Sequence, residues 1–245
     1  MKDQIRSEYR KLRTTRTIWG LLAGLVALSG LATWGILAST SLGVSAALTS
    51  LPVVVPLVMV VPVFALVLGV RAYTDEARHG SIMPTLLARP DRRRVAGAKF
   101  VVVAAAGAAL ALAAIVVTLV ISVVWLAVDG VAVTVAAGSL AVLLVKVAAL
   151  GMLWSSIGLG VGLFVSHQVA AIAGSLVWLL VGENLVEVIS AGVAKVLPVH
   201  AGTALLGISA GDAAPVAPLV GAGLLAAWAA LSLGAGTRAF MRRDI

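Results

Sequence analysis

Few residues in this chain carry a charge within its long apolar runs, and those few are the first candidates for chemistry. Glu183 and Glu187 lie four residues apart, which places two carboxylates on one face of a helix, where like charges repel. Two interpretations remain open. Either the apolar run ends near Gly182 and both carboxylates are solvated close to Lys195, or the pair binds a cation or a proton with His200 as a third ligand.

Three further ionisable residues have simpler explanations. Lys146 lies about twenty residues before the end of its apolar run, roughly 30 Å at 1.5 Å per residue, so its amine is expected to reach the lipid headgroups. His167 is expected in a short exposed turn, and Asp129 at the end of an apolar run. We expect no metal site, because the spacing of Glu183, Glu187 and His200 matches no known metal motif.

The sequence lacks the motifs of nucleotide and metal-dependent hydrolases. A phosphate-binding loop of the GxxxxGK[ST] type is absent, because Gly97, Ala98 and Lys99 have neither the required upstream glycine nor a following Ser or Thr. HExxH is absent as well, and no carboxylates are paired at a catalytic spacing. We therefore expect no catalytic residue and no cofactor on this chain.

The composition is typical of membrane proteins. Of 245 residues, 61% are hydrophobic and 11% are charged, and the mean hydropathy is +1.12; a soluble domain has roughly 25% charged residues. The net charge of +8 would also suit a nucleic-acid binder, but in so apolar a chain a basic excess marks loops on the cytoplasmic side of a membrane. No cysteine is present, which excludes disulfides and thiol chemistry.

Six apolar runs reach or approach the roughly 20 residues that a helix needs to cross a bilayer. They are Thr17–Ser39, Leu51–Val70, Phe100–Val128, Ser139–Val165, Val169–Val181 and Leu219–Gly236. The predicted fold class is an all-α polytopic membrane protein, a single transmembrane domain over residues 1–245. Gly20 with Gly24, and Gly158 with Gly162, have the small-xxx-small spacing of closely packed helices.

The positive charges predict the orientation. Six of the 18 Lys and Arg residues precede Thr17, seven lie between Arg71 and Lys99, and three follow the last apolar run. Six spans place all three clusters on one side of the membrane, and the positive-inside rule makes that side cytoplasmic. We therefore expect both termini in the cytoplasm.

The N-terminal residues 1–16 have the pattern of an interfacial helix. Ile5, Tyr9 and Leu12 recur at helical spacing, and basic residues fill most of the remaining positions. This pattern is typical of an amphipathic helix that lies on the inner leaflet. A basic flank without any further role would explain the same charges.

The stretch 74–99, TDEARHGSIMPTLLARPDRRRVAGAK, is a charged island between two apolar runs. Asp75, Glu76 and Arg78 are expected to continue the second span out of the membrane. Gly80 then ends that helix, and the hydroxyl of Ser81 caps a new short one.

That short helix runs from about Ile82 to Ala88 and carries an apolar face formed by Ile82, Met83, Leu86 and Leu87. Apolar side chains exposed on such a helix need a cover. The alternative, a solvated basic loop on anionic headgroups, explains the arginines at 92–94 but leaves the apolar face unexplained.

The segment 183–217 is predicted to be helical and to lie outside the cell. It is too long for a turn and too apolar for a disordered loop, and glycine and proline residues divide it.

The charged island resembles the segment between the second and third spans of ABC type-2 transporter permeases. The residues that carry the resemblance are Glu76, Arg78, Gly80, Ser81, Ile82, Leu86, Leu87, Pro90, Arg93 and Lys99. The first stretch, RSEYRKLRTTRTIW, and the last, TRAFMRRDI, are also similar to the ends of such permeases. In that family the island forms a coupling helix that docks on a nucleotide-binding subunit. The resemblance therefore implies ATPase contacts at Glu76, Arg78, Gly80, Ser81, Ile82, Met83, Leu86 and Leu87.

The resemblance also implies partners and a location. Two copies of a separate ATPase subunit would hold ATP and Mg, and a second permease subunit, identical or paralogous, would complete a dimer in a bacterial plasma membrane. Short outer helices would dip back into the membrane. The implied function is export of an amphipathic or hydrophobic drug, lipid or peptide by alternating access, as in multidrug or antibiotic resistance.

Two other functions remain open at this point. One is an ion-coupled carrier that acts alone and uses Glu183 and Glu187. The other is a membrane scaffold or immunity protein that transports nothing.

Overall fold

The computed structural model describes residues 6–11, 16–39, 45–47, 51–78, 92–134, 136–208 and 216–242. Nearly all of these residues are helical. In chain order the elements are α1 (6–11), α2 (Arg16–Ser39), β1 (Ser45–Ala47), α3 (Leu51–Arg78), α4 (Arg92–Val128), β2 (Ala132–Thr134), α5 (Ala137–Val165), α6 (Gln168–Val177), a π-helical turn (Trp178–Gly182), α7 (Glu183–Ile189), α8 (Ala191–Ala194), α9 (Pro198–Leu206) and α10 (Pro218–Arg242).

Six helical stretches among the described residues are long and apolar enough to cross a membrane. This confirms the predicted all-α polytopic class. Three helices extend beyond their apolar runs, because backbone hydrogen bonding continues into polar sequence: α3 ends at Arg78, α4 begins at Arg92 and α10 ends at Arg242. We call the end of the bundle that carries these polar extensions the basic face, and the other end the opposite face.

The fifth span is longer than the sequence predicts. The expected end near Gly182 is wrong, because the π-helical turn continues directly into α7 and the span covers Gln168–Ile189. Hydropathy fails here because Glu183 interrupts the apolar run, and hydropathy does not register the hydrogen bond that a distant segment supplies to this carboxylate.

The centre of the bundle is α3. In the most apolar 18-residue stretch of α3, about 67% of the residues are buried, against 17% in the corresponding stretch of the fifth span. Pro56 and Pro62 lie inside α3 and are buried. Proline removes a helical hydrogen bond, and membrane helices tolerate this where neighbouring helices and local adjustments compensate.

Close approach of α5 to α3 depends on glycine. A Cβ atom on Gly158 would overlap the carbonyl oxygen of Leu66, and one on Gly162 would lie 2.6 Å from the carbonyl oxygen of Val70. The predicted close packing at Gly158 and Gly162 is therefore confirmed. Gly20, by contrast, has nothing within 4 Å of its Cβ position.

Two further contacts organise the ends of the bundle. At the basic face, Tyr73 of α3 and Phe240 of α10 meet edge to face with ring centroids 5.5 Å apart. At the opposite face, β1 pairs in parallel with β2, with Ser45 opposite Ala132. This short pairing was not predicted, since three-residue strands leave almost no periodic signal in a sequence.

Candidate functional site

Two helices extend from the bundle at the basic face and flank residues 79–91. These residues lie outside the described part of the chain, so the predicted contacts at Gly80, Ser81, Ile82, Met83, Leu86 and Leu87 stay predictions. The same holds for Ile5 and Leu12 of the interfacial helix. Of the residues predicted for the coupling segment and the interfacial helix, the structure describes three, and all three lie on elements of this face: Tyr9, Glu76 and Arg78.

Four charged side chains join α1 to α3 and α4. We call them the charged quartet: Glu8, Lys11, Glu76 and Lys99. The Nζ atom of Lys99 lies 2.7 Å from Oε1 of Glu76, 2.8 Å from Oε2 of Glu8 and 3.2 Å from the carbonyl oxygen of Ala72. The Nζ atom of Lys11 contacts the same two residues, at 3.0 Å from Oε1 of Glu8 and 3.1 Å from Oε1 of Glu76. Both lysines therefore bridge the same pair of carboxylates.

Lys99 is the buried centre of the quartet. Its side chain is 2% exposed, whereas that of Lys11 is 42% exposed. A lysine ammonium has three N–H donors, and the three acceptors around Lys99 match that number. A buried charge is tolerated only when it is paired and hydrogen-bonded. The Lys99–Glu76 contact therefore fixes α3 and α4 to each other where they begin to flank residues 79–91.

The quartet favours the charged forms of both members on α1. Burial raises the pKa of Glu8, but Lys99 and Lys11 outweigh burial and hold that pKa below its ordinary value of 4.5. Burial lowers the pKa of Lys11, but Glu76 and Glu8 outweigh it and hold that pKa above 10.5. A cavity of about 440 Å³ borders all four side chains.

A second set of polar contacts holds the outer end of α3. Arg71 donates from Nε to Oδ2 of Asp75 at 3.1 Å and from Nη2 to Oγ1 of Thr17, in α2, at 3.0 Å. Gln168, at the start of α6, donates to Oδ1 of Asp75 at 2.7 Å. The exposed Arg78 donates from Nη1 to Oε1 of Gln168 at 3.3 Å. This end of α3 is thus bound to α2 and α6 as well as to α1 and α4.

α1 turns charged side chains toward the bundle and leaves Tyr9 exposed, so the predicted contact of its apolar residues with the inner leaflet stays a prediction. Tyr9 is 57% exposed, while Glu8 on the adjacent position is buried against Lys99. α1 is therefore attached to the bundle through ion pairs, and its predicted apolar residue Tyr9 points outward. Glu8 was not among the predicted site residues; its one signal in the sequence is the helical i, i+3 spacing of Glu8 and Lys11 within a basic segment.

The second predicted group lies at the opposite face. Glu183 is 1% exposed and Glu187 is 46% exposed, and His200 of α9 contacts both carboxylates. The expectation that both carboxylates are solvated is therefore wrong for Glu183. Among the described residues, no group of three His, Cys, Asp or Glu side chains is arranged to hold a metal ion.

Residues 207–211, GISAG, have the GxSxG spacing of some serine nucleophiles. That motif acts on a tight turn from a strand into a helix. Here Gly207 follows the end of α9 with a φ of 81°, and Ser209 lies outside the described residues. The described element that precedes the motif is thus a helix, α9, and not a strand.

A six-span helical bundle with a charged junction at one face defines a multi-pass membrane protein. A model of the ABC-2 family transporter proteins matches residues 4–182 of the 245, and the chain belongs to this family. It is therefore a membrane transport component, not itself catalytic, that works with an ABC ATPase. No curated protein matches the chain.

Proposed function

We propose that this chain is the membrane-spanning permease subunit of an ATP-driven exporter whose ATPase is a separate polypeptide. The observation that carries the proposal is the charged quartet, which fixes α3 and α4 to each other on the two sides of residues 79–91. A force applied to residues 79–91 would enter both helices together, because the buried Lys99 binds Glu76. The ATPase would hold ATP and Mg, and residues 79–91 would dock on it.

The packing of the bundle supports a route for that force. α3 packs against α5 through contacts in which the glycines at 69 and 158 leave no room for a Cβ atom. Close-packed interiors transmit displacement instead of absorbing it. A tilt of α3 would therefore move α5, and α10 with it, since Gly236 of α10 is in similarly close contact with Gly160 of α5.

A second permease subunit completes the proposal. The fifth span is the least buried of the six, and its exposed side chains include Val177, Trp178, Leu180 and Val181. Such a face suits either lipid or a second permease subunit, identical or paralogous. The resulting permease dimer would bind two copies of the ATPase. The protein would lie in a bacterial plasma membrane, with the basic face and both termini on the cytoplasmic side by the positive-inside rule.

The proposed substrate is amphipathic or hydrophobic. A pathway between two such subunits would be lined mainly by the apolar side chains of α2, α3 and the fifth span. Lining of this kind suits a drug, lipid or peptide and suits small ions poorly. A role in multidrug or antibiotic resistance is one form that this export would take.

Affinity purification tests the proposal. The tagged chain is extracted from its native membrane, and co-purifying proteins are identified by mass spectrometry. We expect a soluble subunit with a GxxxxGK[ST] loop in near-stoichiometric amount. Leu86→Asp should remove it, whereas Val188→Asp should not, because Val188 is 87% exposed at the opposite face.

Two results would contradict the proposal. One is co-purification of the ATPase that Leu86→Asp does not change, since residues 79–91 would then not be the docking segment. The other is transport of a solute by the purified chain alone in sealed vesicles, which would favour an ion-coupled carrier.

A further inference from the structure

A buried carboxylate at the opposite face binds the N-terminal end of α9. Glu183 begins α7 and is 1% exposed. Its Oε2 atom accepts a hydrogen bond from the backbone N–H of Val199, 2.8 Å away, in the first turn of α9. First-turn N–H groups have no intrahelical partner, and the helix dipole stabilises a negative charge there. Glu183 therefore fastens α9 to the fifth span.

His200 lies between two carboxylates. Its Nδ1 atom is 3.7 Å from Oε2 of Glu183, and its Nε2 atom is 3.5 Å from Oε2 of Glu187. The exposed fraction of the side chains falls from 46% at Glu187 through 13% at His200 to 1% at Glu183. The three groups thus form a short path from the surface to a buried carboxylate.

Two buried polar atoms of this cluster have no hydrogen-bond partner among the described residues: Oε1 of Glu183 and Nδ1 of His200. An unpaired buried acceptor is costly. A neutral imidazole has one N–H and can donate to only one of two flanking carboxylates, whereas an imidazolium donates to both. The arrangement therefore favours a bound proton.

We propose that Glu183, His200 and Glu187 form a proton-binding site that controls how firmly α9 is attached to the bundle. With the proton bound, both ring nitrogens of His200 can donate to a carboxylate and α9 stays packed. Without it, one carboxylate faces a ring lone pair and α9 separates more easily. This inference does not depend on the ATPase partner or on the nature of the substrate.

The neighbouring elements bring two other charged groups to this end of the bundle. Among the described residues, α9 packs against α3, α5 and α10. The half of α3 at this face is apolar, and the ionisable residues of α10, Arg238 and Arg242, lie at its other end. α5 contributes Lys146, whose Nζ lies beside Gly207, and Lys195 precedes α9. Lysine does not ordinarily titrate between about pH 6 and 8, so a response in that range would come from the cluster.

A single introduced thiol can report on α9, because the chain has no cysteine. Val199→Cys places the thiol on α9 and keeps the backbone N–H that Glu183 accepts; the Val199 side chain packs on the core. Val188→Cys, at a position that is 87% exposed on the same face, is the matched control. Each variant of the full chain, in detergent, is labelled with a maleimide, and the ratio of the two rates cancels the titration of the thiol itself.

We expect the ratio of Val199→Cys to Val188→Cys labelling to rise between about pH 6 and 8, by up to about tenfold per pH unit for one proton. His200→Gln should abolish this dependence. If His200→Gln does not fold, Glu187→Gln at its half-exposed position should still shift the rise to lower pH, since it removes one of the two carboxylates. A ratio that is constant with pH, or a rise that neither substitution alters, would overturn the proposal.

Discussion

Replacing Lys99 tests whether the buried centre of the charged quartet holds the basic face together. Lys99→Met keeps the length and most of the volume of the side chain and removes only the charge and its donors. Lys11→Met is the matched control, because Lys11 contacts the same two carboxylates, Glu8 and Glu76, but its side chain is 42% exposed, against 2% for Lys99.

The magnitude follows from the two short contacts of Lys99. At 2.7 and 2.8 Å, each attraction is about 6 kcal/mol before desolvation at an effective dielectric constant near 20. Desolvation of the ions offsets much of this, and removal of one partner from a buried pair costs about 3–5 kcal/mol net. An exposed pair such as those of Lys11 contributes about 0–1 kcal/mol.

Thermal unfolding of the purified chain in detergent is the assay. For a chain of this size, about 2–4 °C of melting temperature corresponds to 1 kcal/mol, so Lys99→Met should lower the midpoint by about 6–20 °C. Lys11→Met should lower it by no more than about 4 °C. Equal shifts in the two variants, or a smaller shift for Lys99→Met, would refute the argument that burial decides the strength of these ion pairs.

Two further predictions concern helix packing and α1. Gly158→Ala should destabilise the bundle by at least about 1–3 kcal/mol, because the new methyl group overlaps the carbonyl of Leu66; the control Gly20→Ala, with open space around it, should leave the melting temperature unchanged. The pKa of Glu8 is lowered while α1 is attached to the bundle. Below about pH 4.5, detachment of α1 is therefore accompanied by uptake of a proton, and the attachment weakens as the pH falls. Hydrogen exchange at residues 6–11, corrected for intrinsic rates, should show this loss of protection, and Glu8→Gln should remove its pH dependence.

The class of the protein was predictable from single residues and their neighbours. The free energy of transferring a segment from water to lipid depends on the side chains of that segment alone, so the presence of six spans follows from hydropathy. The extension of α3 through Glu76 to Arg78 was also predictable, because helix formation there depends on local backbone bonding and not on a distant partner. Small-residue spacing indicated the close packing at Gly158, but the same spacing at Gly20 and Gly24 includes an open position at Gly20, so spacing alone did not decide which pair packs closely.

The tertiary structure decided which charges meet. Glu8 and Lys99 lie 91 residues apart, and nothing in either segment specifies the other, because an ion pair depends on the distance between atoms and not on sequence spacing. The same reason explains why the burial of Glu183 was not predicted. From the sequence Glu183 was expected at a solvated end of a span, and only the fold places the N–H of Val199 and the ring of His200 beside it. Hydropathy measures the cost of burying a lone carboxylate, whereas the folded chain supplies the donors that reduce that cost.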